Sequence, residues 1–282
     1  MKTDKVIKPG QIVKAYIYGN TIELSSSNVN VNRQAILVIP NHKYVVLETG
    51  EIKSMNTDAS SRVGNLSSVK RTMHNLRRLI ANNFNGGMDQ LWITLTFRTN
   101  VNAHHSHDTV TVYSDFKMFM QRLRKQIGRL EYISVIEPQL SGRWHLHVLM
   151  KTPDKKPLYI PNEVVQHCWK RGFTKTQRLS DTDNVAAYVM AYLTNLQVSD
   201  GDKKFNVKGA RLWMYPKGLR IYRRSKGILN PKVVNTTKKK AIKSYNLTEE
   251  DRRATYERSF KTREGKTITT KTEYYNWKEG SK

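Results

Sequence analysis

Hydrophobic positions in the first fifty residues come in short β-branched runs, "IVKAYIYG", "QAILVIP" and "KYVVLETGEI", separated by the turn-rich "NTIELSSSNVN" and "NHK". Runs of this kind predict a small N-terminal β element. After the polar stretch "SMNTDASS" the period changes. Val69, Met73, Leu76, Ile80 and Phe84 recur at three- and four-residue intervals, which predicts an amphipathic helix stopped by "NGG". Its other face carries Lys70, Arg71, Arg77 and Arg78, a solvated stripe that can also meet phosphate.

Beyond that helix the pattern alternates. Strand "LWITLTF" (91–97) precedes helix "SDFKMFMQRLRKQIG" (114–128), strand "EYISVIE" (131–137) and strand "RWHLHVLM" (143–150). A helix "PNEVVQHCWKRG" follows, with Pro161 and Asn162 as start signals and Gly172 as the stop. A short strand "FTKTQRL", a helix "TDNVAAYVMAYLTNL" (182–196) and a basic strand-like run "RLWMYPKGLRIYRRS" come next. Strands pairing beside helices that cover them predict an α+β fold with a central, largely antiparallel sheet. The lysine-rich last fifty residues, with "KKKAIKSYNLTEEDRR", predict a peripheral helix or hairpin. The expected organisation is an N-terminal β element (1–62), a central domain (63–230) and a basic C-terminal extension (231–282).

Charge narrows the partners. Among 282 residues, 49 Lys and Arg stand against 23 Asp and Glu, a net charge of +26 and a pI of about 10.1. Cations interleaved with aromatic and polar residues suit nucleic acid better than an anionic membrane. Cys168 is the only cysteine, which excludes an intrachain disulfide and a cysteine-based zinc site and fits a reducing cytosol. It lies on an apolar helix face, where a buried, inert thiol is expected. "MKTDKVIKPGQ" lacks the apolar core of a secretory signal, and no apolar run approaches a membrane span. No Walker loop, dinucleotide fingerprint or solenoid repeat is present.

Successive side chains of a strand point to opposite faces, so in "GRWHLHVLM" His145 and His147 share one face while Trp144, Leu146 and Val148 take the other. Glu137 ends the preceding strand. The connection "PQLSG", with Pro138 and Gly142 as turn residues, can fold the two strands into a tight hairpin. Two imidazoles and a carboxylate form a mixed N/O donor set with open positions, suited to Mn²⁺ or Mg²⁺. On the later helix, Tyr188 and Tyr192 are four residues apart and share a face. That spacing fits an amphipathic core, yet a tyrosine is also a workable nucleophile toward a phosphodiester.

In this order, "WITLTF", then "EPQLSGRWHLHVLM", then "AAYVMAYLTN" resemble the three motifs of HUH endonucleases, most closely the rolling-circle replication initiators of bacterial plasmids, phages and integrative elements. The resemblance covers roughly residues 66 to 230. It implies a central antiparallel sheet with a divalent ion, Mn²⁺ or Mg²⁺, held on one face by Glu137, His145 and His147. It also implies a nucleophile, Tyr188 or Tyr192, that nicks and rejoins one strand at an origin through a 5′-phosphotyrosine. Many members carry a Lys three residues after the tyrosine; here those positions are Ala191 and Asn195. Lys175, Lys203 and Arg211 are the candidates for the missing charge. A tyrosine that follows the histidines favours an initiator over a relaxase, and the length and extensions favour it over a single-strand transposase. Without a Walker loop, unwinding would fall to a host helicase in a bacterial cytoplasm. The expected substrate is origin DNA, single-stranded or hairpin, with no membrane partner. The rival from another class is a non-enzymatic basic nucleic-acid-binding protein.

Other groups are given blander roles. "NAHHSHD", with His104, His105, His107 and Asp108, lies on a surface loop that nothing orients. Trp92 and Trp144 belong to core strands. Trp213 beside Arg211, with Lys217, Arg220, Arg223 and Arg224 downstream, is the expected DNA contact.

Overall fold

The computed structural model describes residues 6–29, 36–55, 66–98, 108–139, 141–179, 195–200, 203–208, 214–261 and 265–277. The fold is α+β, built on antiparallel sheets. The chain divides into two compact units, Met1–Asp58 with Pro231–Lys282, and Ala59–Asn230.

In the first unit, β1 (Ile12–Tyr18) and β2 (Thr21–Ser27) form a hairpin. Strand β3 (Ile36–Ile39), β4 (Lys43–Val46) and β5 (Ile52–Ser54) form a separate three-stranded sheet. The expected peripheral C-terminal extension is not peripheral. Strand β13 (Lys232–Thr237) pairs with β1, and β15 (Thr267–Asn276), hairpinned to β14 (Arg252–Lys261), pairs with β2. The sheet order is β13-β1-β2-β15-β14. The two ends of the chain thus complete one sheet, where the sequence suggested two separate appendages. Alternation explains one face: Val13, Ala15, Ile22, Leu24 and Tyr275 pack with Ile7, with Ala241 and Ile242 of a short helix (Lys238–Lys243), and with Leu247.

The lysine-rich composition misleads here because one lysine is buried. Lys238 has no exposed surface; its ammonium donates to the Ile7 carbonyl at 2.8 Å and lies 2.9 Å from carboxylate oxygens of both Glu249 and Glu273. Glu273, also fully buried, accepts from the Ile7 N–H at 2.7 Å and from the Tyr275 hydroxyl at 2.8 Å. A buried charge costs several kcal/mol unless paired and hydrogen-bonded, and these contacts supply both.

The second unit begins with α1 (Leu66–Asn83). Its five-stranded sheet has the order β12-β7-β8-β6-β9: β6 (Gln90–Leu95), β7 (Glu131–Pro138), β8 (Trp144–Lys151), β9 (Thr174–Arg178) and β12 (Tyr222–Arg224). Helix α2 (Thr109–Ile127) starts before the expected 114, because Asp108 caps it by accepting from the N–H groups of Val110 and Thr111. The β-branched "TVTV" hides this start. Helix α3 (Asn162–Trp169) is ended by Lys170 in a left-handed conformation rather than by Gly172. Gly172 instead permits a close approach, since a Cβ there would lie 2.4 Å from the Thr96 carbonyl oxygen; the missing side chain lets β9 come up against β6. Phe116, Phe119 and Trp169 bring α2 and α3 together, with edge contacts of Phe116 to Tyr132 and of Phe119 to Trp169.

Two further expectations change. Residues 180–194, including most of the predicted tyrosine helix, lie outside the described residues, but Asn195 and Leu196 are strand, at the start of the hairpin β10 (Asn195–Asp200) and β11 (Lys203–Lys208). The basic run after 211 is strand only in β12. Pro216 and Gly218, the latter at φ 76°, make a turn before it, and Tyr215 is buried against Trp144.

Candidate metal centre

Register places the site. Glu137 of β7 pairs directly with His145 of β8, and Val135 pairs with His147, so one carboxylate and two imidazoles share a single face. The turn at 139–143 is closed by Gln139 N–H donating to the Arg143 carbonyl at 2.7 Å, with Gly142 at φ 80°. Glu137 and His147 are buried and His145 half-buried.

Their atoms converge. Glu137 Oε2 lies 2.8 Å from His145 Nε2 and 2.7 Å from His147 Nε2, and the two nitrogens are 3.1 Å apart. Neighbouring ligand atoms around an octahedral ion with bonds of about 2.1 Å lie about 3.0 Å apart; around tetrahedral zinc with similar bonds the spacing is about 3.4 Å. The observed triangle therefore fits one face of an octahedral ion and leaves the remaining positions for water or substrate. Burial alone would raise the Glu137 carboxyl, but hydrogen bonds and charge from the two imidazoles outweigh it and hold the group down at about 2. An ionised carboxylate is what a hard cation requires. His145 Nδ1 is buried without a hydrogen-bond partner, so the ring is held from its Nε2 side. Among the described residues this is the one His/Asp/Glu cluster with metal-ligand spacing.

A second layer of contacts follows from β6. Thr94 pairs with His147 on one side and with Lys175 of β9 on the other. Thr94 Oγ1 lies 3.4 Å from His147 Nδ1, and the Trp92 indole N–H donates to the same nitrogen at 3.3 Å. Trp92 therefore touches the site through its N–H as well as packing in the core. The row His147, Thr94, Lys175 sets a partly exposed lysine two strands from the imidazole, about 10 Å between Cα atoms at normal strand spacing. Phe173 lies beside it, 64% exposed.

The other sequence candidates scatter. Tyr188, Tyr192, Arg211 and Trp213 lie outside the described residues, as do His104, His105 and His107; the side chain of Lys203 is likewise not described. Lys217 and Arg220 are exposed in the turn before β12. Arg223 pairs with Ser134, on the face opposite the histidines, and its guanidinium lies 3.5 Å from the Tyr113 ring centroid. Arg224 pairs with Ile133 and donates to the Ile228 carbonyl and to Asn230 Oδ1.

Fold and donor set define an α+β domain whose antiparallel sheet carries a Glu/His/His group able to hold a divalent ion. Residues 90–197 match the model of a family described as replication-associated protein, ORF2 type. The matched segment contains all three metal-ligand candidates and both tyrosines, and it supports a replication initiator role. Neither a curated protein nor a solved structure matches the chain. Among the described residues, no helix is long and apolar enough to cross a membrane.

Proposed function

We propose that the second unit nicks and rejoins one DNA strand at a replication origin. The observation that carries the reading is the triangle of Glu137, His145 and His147 ligand atoms, 2.7 to 3.1 Å on a side, inside the segment that matches a replication-associated family. These three residues would hold Mn²⁺ or Mg²⁺. When bound, the ion supplies Lewis-acid neutralisation of charge on the scissile phosphate.

The nucleophile comes from the resemblance to HUH endonucleases. The hydroxyl of Tyr188 or Tyr192 loses its proton and attacks phosphorus. The P–O3′ bond breaks, the 3′ oxygen takes up a proton as a free primer end, and the tyrosine keeps the 5′ phosphate as an ester. Rejoining reverses these steps. Lys175 is the candidate cation whose position on the histidine face supports a phosphate contact, in place of the lysine missing after either tyrosine.

The test uses single-stranded oligonucleotides tiling the DNA that flanks the gene, incubated with the full chain and Mn²⁺. A protein–DNA adduct stable to denaturing detergent is expected, absent with EDTA and absent when Tyr188 and Tyr192 are both changed to Phe, which removes only the nucleophilic oxygen. Undiminished adduct in the double variant would take those tyrosines out of the reaction. Binding of every oligonucleotide without cleavage would favour the non-enzymatic reading.

A further inference from the structure

The five-stranded sheet of the first unit is closed on one face by its core and open on the other. Register identifies what the open face displays. Tyr16 of β1 pairs with Glu23 of β2, and Glu23 pairs with Tyr274 of β15, so the two tyrosines flank Glu23 on one side of the sheet. Ala254 of β14 pairs with Tyr274, which puts Tyr256 one step along on the same face, its ring 5.9 Å from Tyr274 in an edge-on contact. Phe260 follows four residues later, about 13 Å further along the strand. Tyr256 and Phe260 are 55% and 57% exposed.

The polar residues of this face are of one kind. Lys14 lies 5.7 Å from the Tyr16 ring centroid, and Arg258, exposed, stands between Tyr256 and Phe260. Ser25, Thr270 and Thr272 sit among the rings. The one acid on the described part of the face is Glu23, which is buried and accepts from the Tyr18 hydroxyl at 3.0 Å. Aromatic rings, two cations, neutral hydroxyls and no exposed carboxylate are left facing solvent.

We propose that this open face binds single-stranded DNA, with bases stacking on Tyr16, Tyr256, Phe260 and Tyr274 and phosphates meeting Lys14 and Arg258. Stacking on exposed rings is tolerant of sequence because every base has a π face. Duplex DNA offers no such faces, since its bases already stack on one another. A second copy of the chain is the poorer occupant: each carries +26, and face-to-face approach of two such molecules is opposed by their charge. A chain acting at a replication origin would hold a displaced single strand on this surface, away from the metal centre's own sheet.

The experiment uses the full chain in EDTA, so that no cleavage enters the measurement, and a 30-nucleotide oligo-dT probe. Changing Tyr256 and Phe260 together to Ala, both exposed and so safe for the fold, is expected to weaken oligo-dT binding by about tenfold or more while duplex binding changes less. Substituting 5-iodouracil into the probe and irradiating is expected to place covalent adducts on the open-face aromatics. Oligo-dT affinity unchanged in the double variant overturns the proposal. A double variant that binds DNA normally but converts a dimer to a monomer overturns it too, and assigns the face to a second copy.

Discussion

Glu137 Oε2 stands between two imidazole nitrogens, 2.8 Å from His145 Nε2 and 2.7 Å from His147 Nε2. One oxygen facing two nitrogens on a pleated surface follows from strand geometry: residues two apart on β8 share a face, and the direct partner of the first supplies the carboxylate. The same three atoms can be a hydrogen-bonded cluster or the corner of a coordination sphere, and metal titration separates the two.

Mn²⁺ is expected to raise the melting temperature of the second unit. At a hundredfold excess over Kd the linkage is about 2.7 kcal/mol. His147→Ala is expected to abolish the shift, and with it any Mn²⁺-dependent cleavage, while DNA binding persists. The measurement is thermal unfolding with and without Mn²⁺, read beside oligonucleotide binding. An equal shift in wild type and His147→Ala would place the ion elsewhere.

The contacts behind His147 give a prediction of opposite signs for neighbouring residues. The Trp92 N–H donates to His147 Nδ1, which in a neutral ring leaves the proton on Nε2, where an ion would have to bind. Metal ligation through Nε2 needs the proton on Nδ1, with Thr94 Oγ1, 3.4 Å away, as its acceptor. Thr94→Val is therefore expected to weaken Mn²⁺ binding about 10- to 100-fold. Trp92→Phe, which removes the competing donor, is expected to leave metal affinity unchanged or tighter despite a packing cost. Calorimetric titration of both variants decides; weaker binding in Trp92→Phe and none lost in Thr94→Val would refute this account.

What could be read from the sequence was whatever strand parity and short spacing encode. His145 and His147 share a face by alternation, and Glu137 reaches them because a short connection closes a hairpin. Trp92 and Thr94 were not legible as neighbours of His147, since β6 and β8 lie far apart in the chain and only their register brings them together. The union of the chain's two ends has the same cause: β1 pairs with β13, and β2 with β15, strands from opposite ends of the sequence with no local signal linking them. The reading of "KKKAIK" as surface failed because a lysine's burial is decided by distant carboxylates. The tyrosines' place relative to the metal centre is the part of the mechanism that rests on motif order alone.

Acid should weaken the second unit through Glu131. Burial pushes this carboxyl up, but Ser225, the Gly227 N–H and Arg129 outweigh that and leave its pKa below the ordinary 4.5. A lowered folded-state pKa adds stability that is present above the unfolded value and lost as pH falls through and below it. Glu131→Gln keeps the shape and removes the titration. The stability difference between wild type and this variant is expected to be largest near pH 6 and to shrink steadily below about pH 4.5. Melting curves from about pH 6 to about pH 3 test this, and a difference that grows in acid would contradict it.

Lys238 holds the N-terminal segment, the short helix and β15 together through the Ile7 carbonyl and the carboxylates of Glu249 and Glu273. Replacing it with Met leaves Glu273 buried with the Ile7 N–H, the Tyr275 hydroxyl and a distant Arg252 guanidinium, 3.8 Å away, as its remaining support. Removing one partner of a buried pair costs about 3–5 kcal/mol, and here the cost should fall on the first unit alone. Hydrogen exchange is the suitable readout because it resolves the two units in the intact chain. In Lys238→Met, the amides of β1, β2, β13 and β15 are expected to lose protection while those of β6, β7 and β8 keep theirs. Adding Glu273→Leu to Lys238→Met is expected to restore much of the loss, since an apolar pair of similar volume leaves no charge without a partner. Unchanged protection in the single variant would mean that the buried ammonium contributes nothing to joining the two ends of the chain.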